Sequence, residues 1–242
     1  EQGCCDLAAF GRQSIADPDM PNKALQGAIQ EILPCSGCQQ GCVCQMYAGK
    51  PVTCLANPSV GREGEIRPAK IPKKIAVIGA GIAGLTAARF CAQQGHTVTV
   101  YEREDTAGGQ MRLAAVPPGK GEFAGLIAAC RAQCETAGVA LRLGTPMTVE
   151  LLREEAPDVC ILATGAQPSA PSLPGMSRFP AIPAWDDLGG KAACGENVLV
   201  LGGGLVGCET AAFLGERGHR VTVVEGREDI AADMGPEHRK QL

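Results

Sequence analysis

The chain has 242 residues, of which 45% are hydrophobic and only 3% aromatic, with 32 glycines. That is enough for one or two packed domains, whose cores are expected from Ala, Val, Leu and Ile at close backbone approach. The net charge of −4, with both signs interspersed and no basic stripe, excludes nucleic acid and an anionic membrane as expected partners, and the longest apolar stretch, Ile75 to Ala88, is too short to span a bilayer.

In chain order, DLAAFG (6–11) reads as a short strand, followed by a helix near Lys23 to Ile32 and a cysteine-rich segment from Cys35 to Cys54. The Pro- and Gly-bearing stretch 57–72 is a linker. Residues 74–79 are a buried strand, 82–94 a helix, 96–102 the next strand, 122–137 an amphipathic helix ended by Gly138, and 139–144 and 158–165 two further strands. After a Pro-rich crossing (168–184) a second unit follows: strand 197–202, helix 205–217, strand 219–225. The alternation predicts an α/β fold with parallel sheets. The opening strand and the closing half-sheet lack partners within the sequence, so the chain reads as a piece of a longer polypeptide. An unpaired strand has open ladder groups and a bare face, and residues 1–33 are therefore expected to pack poorly on their own.

The chain holds thirteen cysteines and no secretory leader pattern; a disulfide ladder is not expected, and reduced thiols point to the cytoplasm. Cys91, Cys130, Cys134, Cys160, Cys194 and Cys208 lie in apolar patterns and read as small buried hydrophobes. Four others are spaced Cys-x2-Cys-x3-Cys-x11-Cys: Cys35, Cys38, Cys42 and Cys54. A tight group with one distant ligand suits a four-cornered iron–sulfur cluster, because one short loop reaches only three corners. Zinc is the alternative, although zinc sites favour two symmetric knuckles and here the fourth cysteine stands alone. Cys44 is the spare thiol.

Two G-x-G-x-x-G turns follow, Gly79, Gly81, Gly84 and Gly202, Gly204, Gly207, related by a constant offset of 123 residues (Gly79 to Gly202). Each follows an apolar strand, opens a helix, and has an acid at the tip of the next strand, Glu102 or Glu225. The first glycine makes the turn, the second admits a pyrophosphate, and the third lets helix meet strand; the phosphates face a helix N-terminus, and the acid accepts from ribose hydroxyls. Two dinucleotide sites are expected, the alternative being a vestigial unit that binds nothing. His96 and His219 recur at the same offset and read, like His238, as non-catalytic residues; the first two are helix-to-strand connectors.

DLAAFGRQSIADPDMPNK (6–23), the cysteine segment, CLANPSVGRE (54–63), YEREDTAGGQ, PPGKGEF and ILATGAQP together resemble the iron–sulfur branch of the old yellow enzyme family, which includes 2,4-dienoyl-CoA reductase, 2-enoate reductase and trimethylamine dehydrogenase. The resemblance covers the whole chain. It implies the last strand and helix of an FMN-binding TIM barrel in 1–33, a 4Fe-4S segment and linker in 34–66, a Rossmann-like FAD domain in 67–190, and the start of an NAD(H) domain in 191–242. Gly11 and Arg12 would then form part of an FMN phosphate site. The implied FAD contacts are Gly79, Gly81, Ala83, Gly84, Glu102, Gly109, Gln110, Lys120, Met147, Ala163, Thr164 and Gly165, with Lys120 alternatively a solvated turn residue and Met147 a core residue. Gly202, Gly204, Gly207 and Glu225 would hold NADH.

The function so implied is electron transfer from NADH through FAD and a 4Fe-4S cluster to FMN, which reduces an activated C=C bond of enoate or dienoyl-CoA type in a small-molecule substrate bound by the barrel. Amine oxidation of the trimethylamine dehydrogenase kind is the alternative within the family. An electron-transfer subunit of the glutamate synthase type is the alternative outside it, and the strand expected at 6–11 discriminates against it. No substrate-activating residue can be named, because the family carries those on earlier barrel strands, and nothing in the sequence sets an oligomeric state.

Overall fold

In the computed structural model, which describes residues 6–169, 172–179, 181–235 and 239, the apolar run KIAVI becomes β1 (Lys74–Ile78). Ile75, Ala76 and Val77 are buried because β1 is flanked on both sides, by β2 (Thr97–Tyr101) and β4 (Val159–Leu162). With β3 (Ala140–Arg142) the order is β3-β2-β1-β4, all pairs parallel. Parallel neighbours require crossovers; α4 (Ile82–Gln93) and α6 (Glu122–Thr136) supply two of them. Leu126, Ala129, Cys130, Gln133 and Cys134 form the buried stripe of α6, at the i, i+3, i+4 spacing of an amphipathic helix. A second parallel pair, β5 (Asn197–Leu201) with β6 (Arg220–Val224), is joined by α9 (Leu205–Glu216). β5, α9 and β6 begin and end 123 residues after β1, α4 and β2.

The connectors contain short helices that the sequence pattern is too brief to announce: α1 (Arg12–Ala16), α2 (Met20–Leu25), α3 (Val43–Tyr47), α5 (Met111–Ala114), α7 (Val149–Glu155) and α8 (Ala184–Leu188). The N-cap residue of α7, Thr148, accepts from the Leu151 N–H at 3.2 Å.

Four expectations are corrected. Residues 7–10 carry no regular element; no strand among the described residues lies beside them, and Leu7 and Phe10 are exposed. The helix expected over 23–32 is α2 followed by a 3-10 turn at Ile29–Glu31, divided at Gly27, whose φ of 74° is left-handed. Residues 12–33, expected to pack poorly, leave Leu25 and Ile29 exposed but are pinned at three buried positions. Ala16 and Leu33 join the main core, and the buried Asp17 carboxylate accepts from the Leu33 N–H at 2.9 Å and from Lys23 Nζ at 2.7 Å. Cys160 is exposed rather than buried, because β4 is an edge strand. The histidines behave as connectors: His96 Nδ1 accepts from the Lys73 N–H and His219 Nδ1 bonds the Gly195 carbonyl. His238 lies outside the described residues.

Candidate cysteine and nucleotide sites

Cys35, Cys38, Cys42 and Cys54 line one small cavity, together with Arg12, Ile15, Gln39 and Gly41. The surrounding backbone is held from outside. The Gln13 side chain donates to the Leu33 carbonyl and accepts from the Cys35 N–H, both at 2.9 Å. Asn57 donates to the Ile15 carbonyl at 3.0 Å, and the Thr53 N–H donates to the Gly41 carbonyl at 2.6 Å. A Cβ on Gly41 would stand 2.6 Å from the Thr53 carbonyl oxygen, so the approach that brings Cys54 to the other three requires glycine there. Cys44, on α3, is absent from the cavity wall; its Sγ faces Gly235, where an added Cβ would be 2.5 Å away. Among the described residues no three Cys, His, Asp or Glu side chains close on a point that would ligate a single ion. All four cysteines border the one cavity. A cubane, wider than an ion and binding one thiolate per corner, fits that donor set.

Both glycine turns are built alike. Gly79 has φ 107°, and a Cβ there would fall on the Ala163 carbonyl oxygen; at Gly84 it would fall on that of Gly79. The second turn repeats the approach at its third glycine, a Cβ on Gly207 falling on the Gly202 carbonyl, whereas Gly202, at φ 102°, has open space around it. Buried Glu102 accepts from the Ala80 N–H at 2.7 Å and the Glu104 N–H at 3.0 Å. Glu225 accepts from the Gly203 N–H at 2.7 Å and the Arg227 N–H at 2.9 Å. Donation from Arg227 first, then Gly203, holds the Glu225 carboxyl below its ordinary range. Each carboxylate oxygen keeps a second lone pair, available to a ribose hydroxyl.

The remaining expected residues are distributed as follows. Gly109 backs onto Gly81, and Gln110 Nε2 donates to the Ala166 carbonyl at 3.1 Å beside Gly165. The Ala163–Gly165 turn, Gly81, Gly109 and Gln110 therefore converge at the mouth of α4. Ala83 is exposed there, along an open groove of about 680 Å³ shared with Thr86 and Phe90. Met147 is half-buried between β3 and α7. Lys120 is ion-paired, its Nζ 2.6 Å from Glu209 Oε1 on α9, so it joins the two units. Gly11 has open space around it and Arg12 lies along the cysteine cavity.

Sequence reasoning stopped the repeat at Glu225, yet the frame continues. The Gly108 N–H donates to the Ala80 carbonyl at 2.8 Å, and 123 residues later the Ala231 N–H donates to the Gly203 carbonyl at 2.6 Å. Asp233, which corresponds to Gln110, places both carboxylate oxygens on the Leu205 N–H, at 2.9 and 3.2 Å. The available signal was the offset itself; residue identity has changed at both positions.

The profile of the family described as pyridine nucleotide-disulphide oxidoreductase matches residues 73–242. The chain belongs to the pyridine nucleotide-disulphide oxidoreductase family. It is 42% identical to a metal reductase of Desulforamulus reducens, over 99% of this chain and 41% of that protein, and 41% identical to an NADH oxidase of Thermoanaerobacter brockii, over 97% of this chain and 37% of that protein. Among solved structures, a 2-naphthoyl-CoA reductase complex superposes with a TM-score of 0.93 at 34% identity, over 99% of this chain and 37% of that one. This pyridine nucleotide-disulphide oxidoreductase chain thus spans about two fifths of the length of the relatives it matches. Their range fits the iron–sulfur branch of the old yellow enzyme family. The sequence is that of an oxidoreductase with a flavin and nicotinamide nucleotide fold. No helix among the described residues is long and apolar enough to cross a membrane.

Proposed function

We propose that the chain is the electron-input part of an NADH-dependent flavin and iron–sulfur oxidoreductase. The observation that carries this reading is the cavity lined by Cys35, Cys38, Cys42 and Cys54, in one chain with two glycine turns that repeat one hydrogen-bond frame. Gly79, Gly81, Gly84, Glu102, Gln110 and the Ala163–Gly165 turn would hold FAD. Gly202, Gly204, Gly207 and Glu225 would hold NADH, and the four cysteines a 4Fe-4S cluster. When bound, these groups supply hydride acceptance and one-electron transfer, which no side chain provides. The chain's own part is to seat pyrophosphates on the N-termini of α4 and α9, fix the riboses with Glu102 and Glu225, and keep the cluster thiols together through Gln13, Gly41 and Asn57.

For the whole protein the proposed reaction is reduction of an activated C=C bond of enoate or CoA-thioester type. Similarity to a 2-naphthoyl-CoA reductase along 99% of this chain supports it over a stand-alone electron-transfer subunit. The strand at 6–11 that would have separated those two readings is not formed, so the overall likeness bears the weight. The test is composition. Anaerobically prepared protein should contain iron and sulfide in cubane ratio with bound FAD, and Cys54→Ala should lose the iron while keeping the flavin. Stoichiometric zinc in protein made with ample iron would overturn the cluster.

A further inference from the structure

Asp233 stands where the repeated frame calls for a nucleotide. In the first unit the return loop bonds Ala80 through Gly108, and two residues on it presents Gln110, a neutral amide engaged with Ala166. In the second unit the same loop bonds Gly203 through Ala231 and then presents a carboxylate. That carboxylate caps the Leu205 N–H, the first residue of α9, and Gly204 lies directly beneath it, with a Cβ there 3.2 Å from Asp233 Oδ2. In a G-x-G-x-x-G turn the second glycine and the start of the helix receive the dinucleotide pyrophosphate. Ala231 holds the loop at φ 51° where the first unit has glycine at φ 115°. A non-glycine residue in that region is unfavourable and persists where its surroundings impose it.

We infer that Asp233 is an anionic latch on the second nucleotide seat: its carboxylate occupies the pyrophosphate's place on α9 and must swing out before NADH binds, so it sets nucleotide affinity. This rests on the reading of the second unit as the NADH site. The latch holds the free seat in its binding geometry and competes with pyrophosphate by charge and by position. A ligand without phosphates does not meet it.

The test is equilibrium binding of NADH, ADP-ribose and adenosine to the FAD-loaded chain and to its Asp233→Asn and Asp233→Ala variants, with near-ultraviolet circular dichroism as the check on folding. NADH and ADP-ribose are expected to tighten about tenfold in Asp233→Ala and less in Asp233→Asn, whose amide oxygen still accepts from Leu205, while adenosine is unchanged. A residue with a merely structural role would weaken binding when removed, so tightening separates the two. Unchanged or weaker ADP-ribose binding by folded variants overturns the latch and leaves the nucleotide site standing, as does equal tightening of adenosine. NADH binding by none of the three proteins, at millimolar ligand, overturns the site and the latch together.

Discussion

At Gly84 a Cβ would fall on the Gly79 carbonyl oxygen, so Gly84→Ala must push α4 away from β1 and spoil the seat between them. Forced overpacking of this kind costs about 1–3 kcal/mol, and the variant should lose that much in a denaturant titration and release its FAD. Glu225 carries two testable consequences. Its folded pKa lies below the ordinary value of 4.5 because Arg227 and Gly203 donate to it. Its contribution is therefore fully present above that value and fades as pH falls through the lower folded one. The unfolding midpoint of the wild type should drop below about pH 4.5 more steeply than that of Glu225→Gln. With NADH bound as proposed, the carboxylate would also face the adenine ribose, where a 2′-phosphate would set anion against anion. NADH should be preferred to NADPH in kcat/KM for the flavin's reduction, and Glu225→Ser should shrink the preference; a preference for NADPH would instead assign the pocket to Arg227. The glycines and acids were legible in the sequence because their constraint is steric and leaves few substitutes. Ala231 and Asp233 were not, since the backbone bond at 231 accepts any residue able to hold a positive φ.

Among the elements, the strands and long helices of both units follow their sequence patterns to within two residues or so at β1, α4, β2, α6, β5, α9 and β6; at β1, burial on both faces leaves an unbroken apolar run. The lead-in differs. DLAAFG has the composition of a strand, but strand character is completed by a neighbour, and none of the described residues provides one. What orders residues 12–33 is polar instead. Asp17 receives Leu33, Lys23 and the Asp19 N–H at 3% exposure, an anchor visible only once the chain has folded back on itself. Asp17→Ala leaves the Leu33 N–H and a half-buried ammonium without a partner, a loss of about 2–4 kcal/mol. Amide exchange at Leu33 should accelerate correspondingly, and cluster retention should weaken because Gln13 and Cys35 belong to the same lead-in.

At the scale of the molecule, the cysteine segment shares the core of the first nucleotide unit through Leu33, Cys35, Cys54 and Ala56, and specific contacts reach the second unit. Lys120 bridges to Glu209 on α9, and Gly235 closes on Cys44. The four cysteines singled out by their spacing line one cavity, while Gly41, Gln13 and Asn57, which hold the backbone around it, carry no motif. Nucleotide-derived electrons are thus proposed to enter a cluster held by Cys35, Cys38, Cys42 and Cys54. The direct measurement is low-temperature electron paramagnetic resonance of the anaerobic, FAD-loaded protein after NADH addition. A reduced-cluster signal is predicted in the wild type and in Cys44→Ala, and its loss in Cys35→Ala, Cys38→Ala, Cys42→Ala and Cys54→Ala with FAD still bound. No cluster signal from iron-replete wild type, or a signal that survives in Cys54→Ala and disappears in Cys44→Ala, would contradict it.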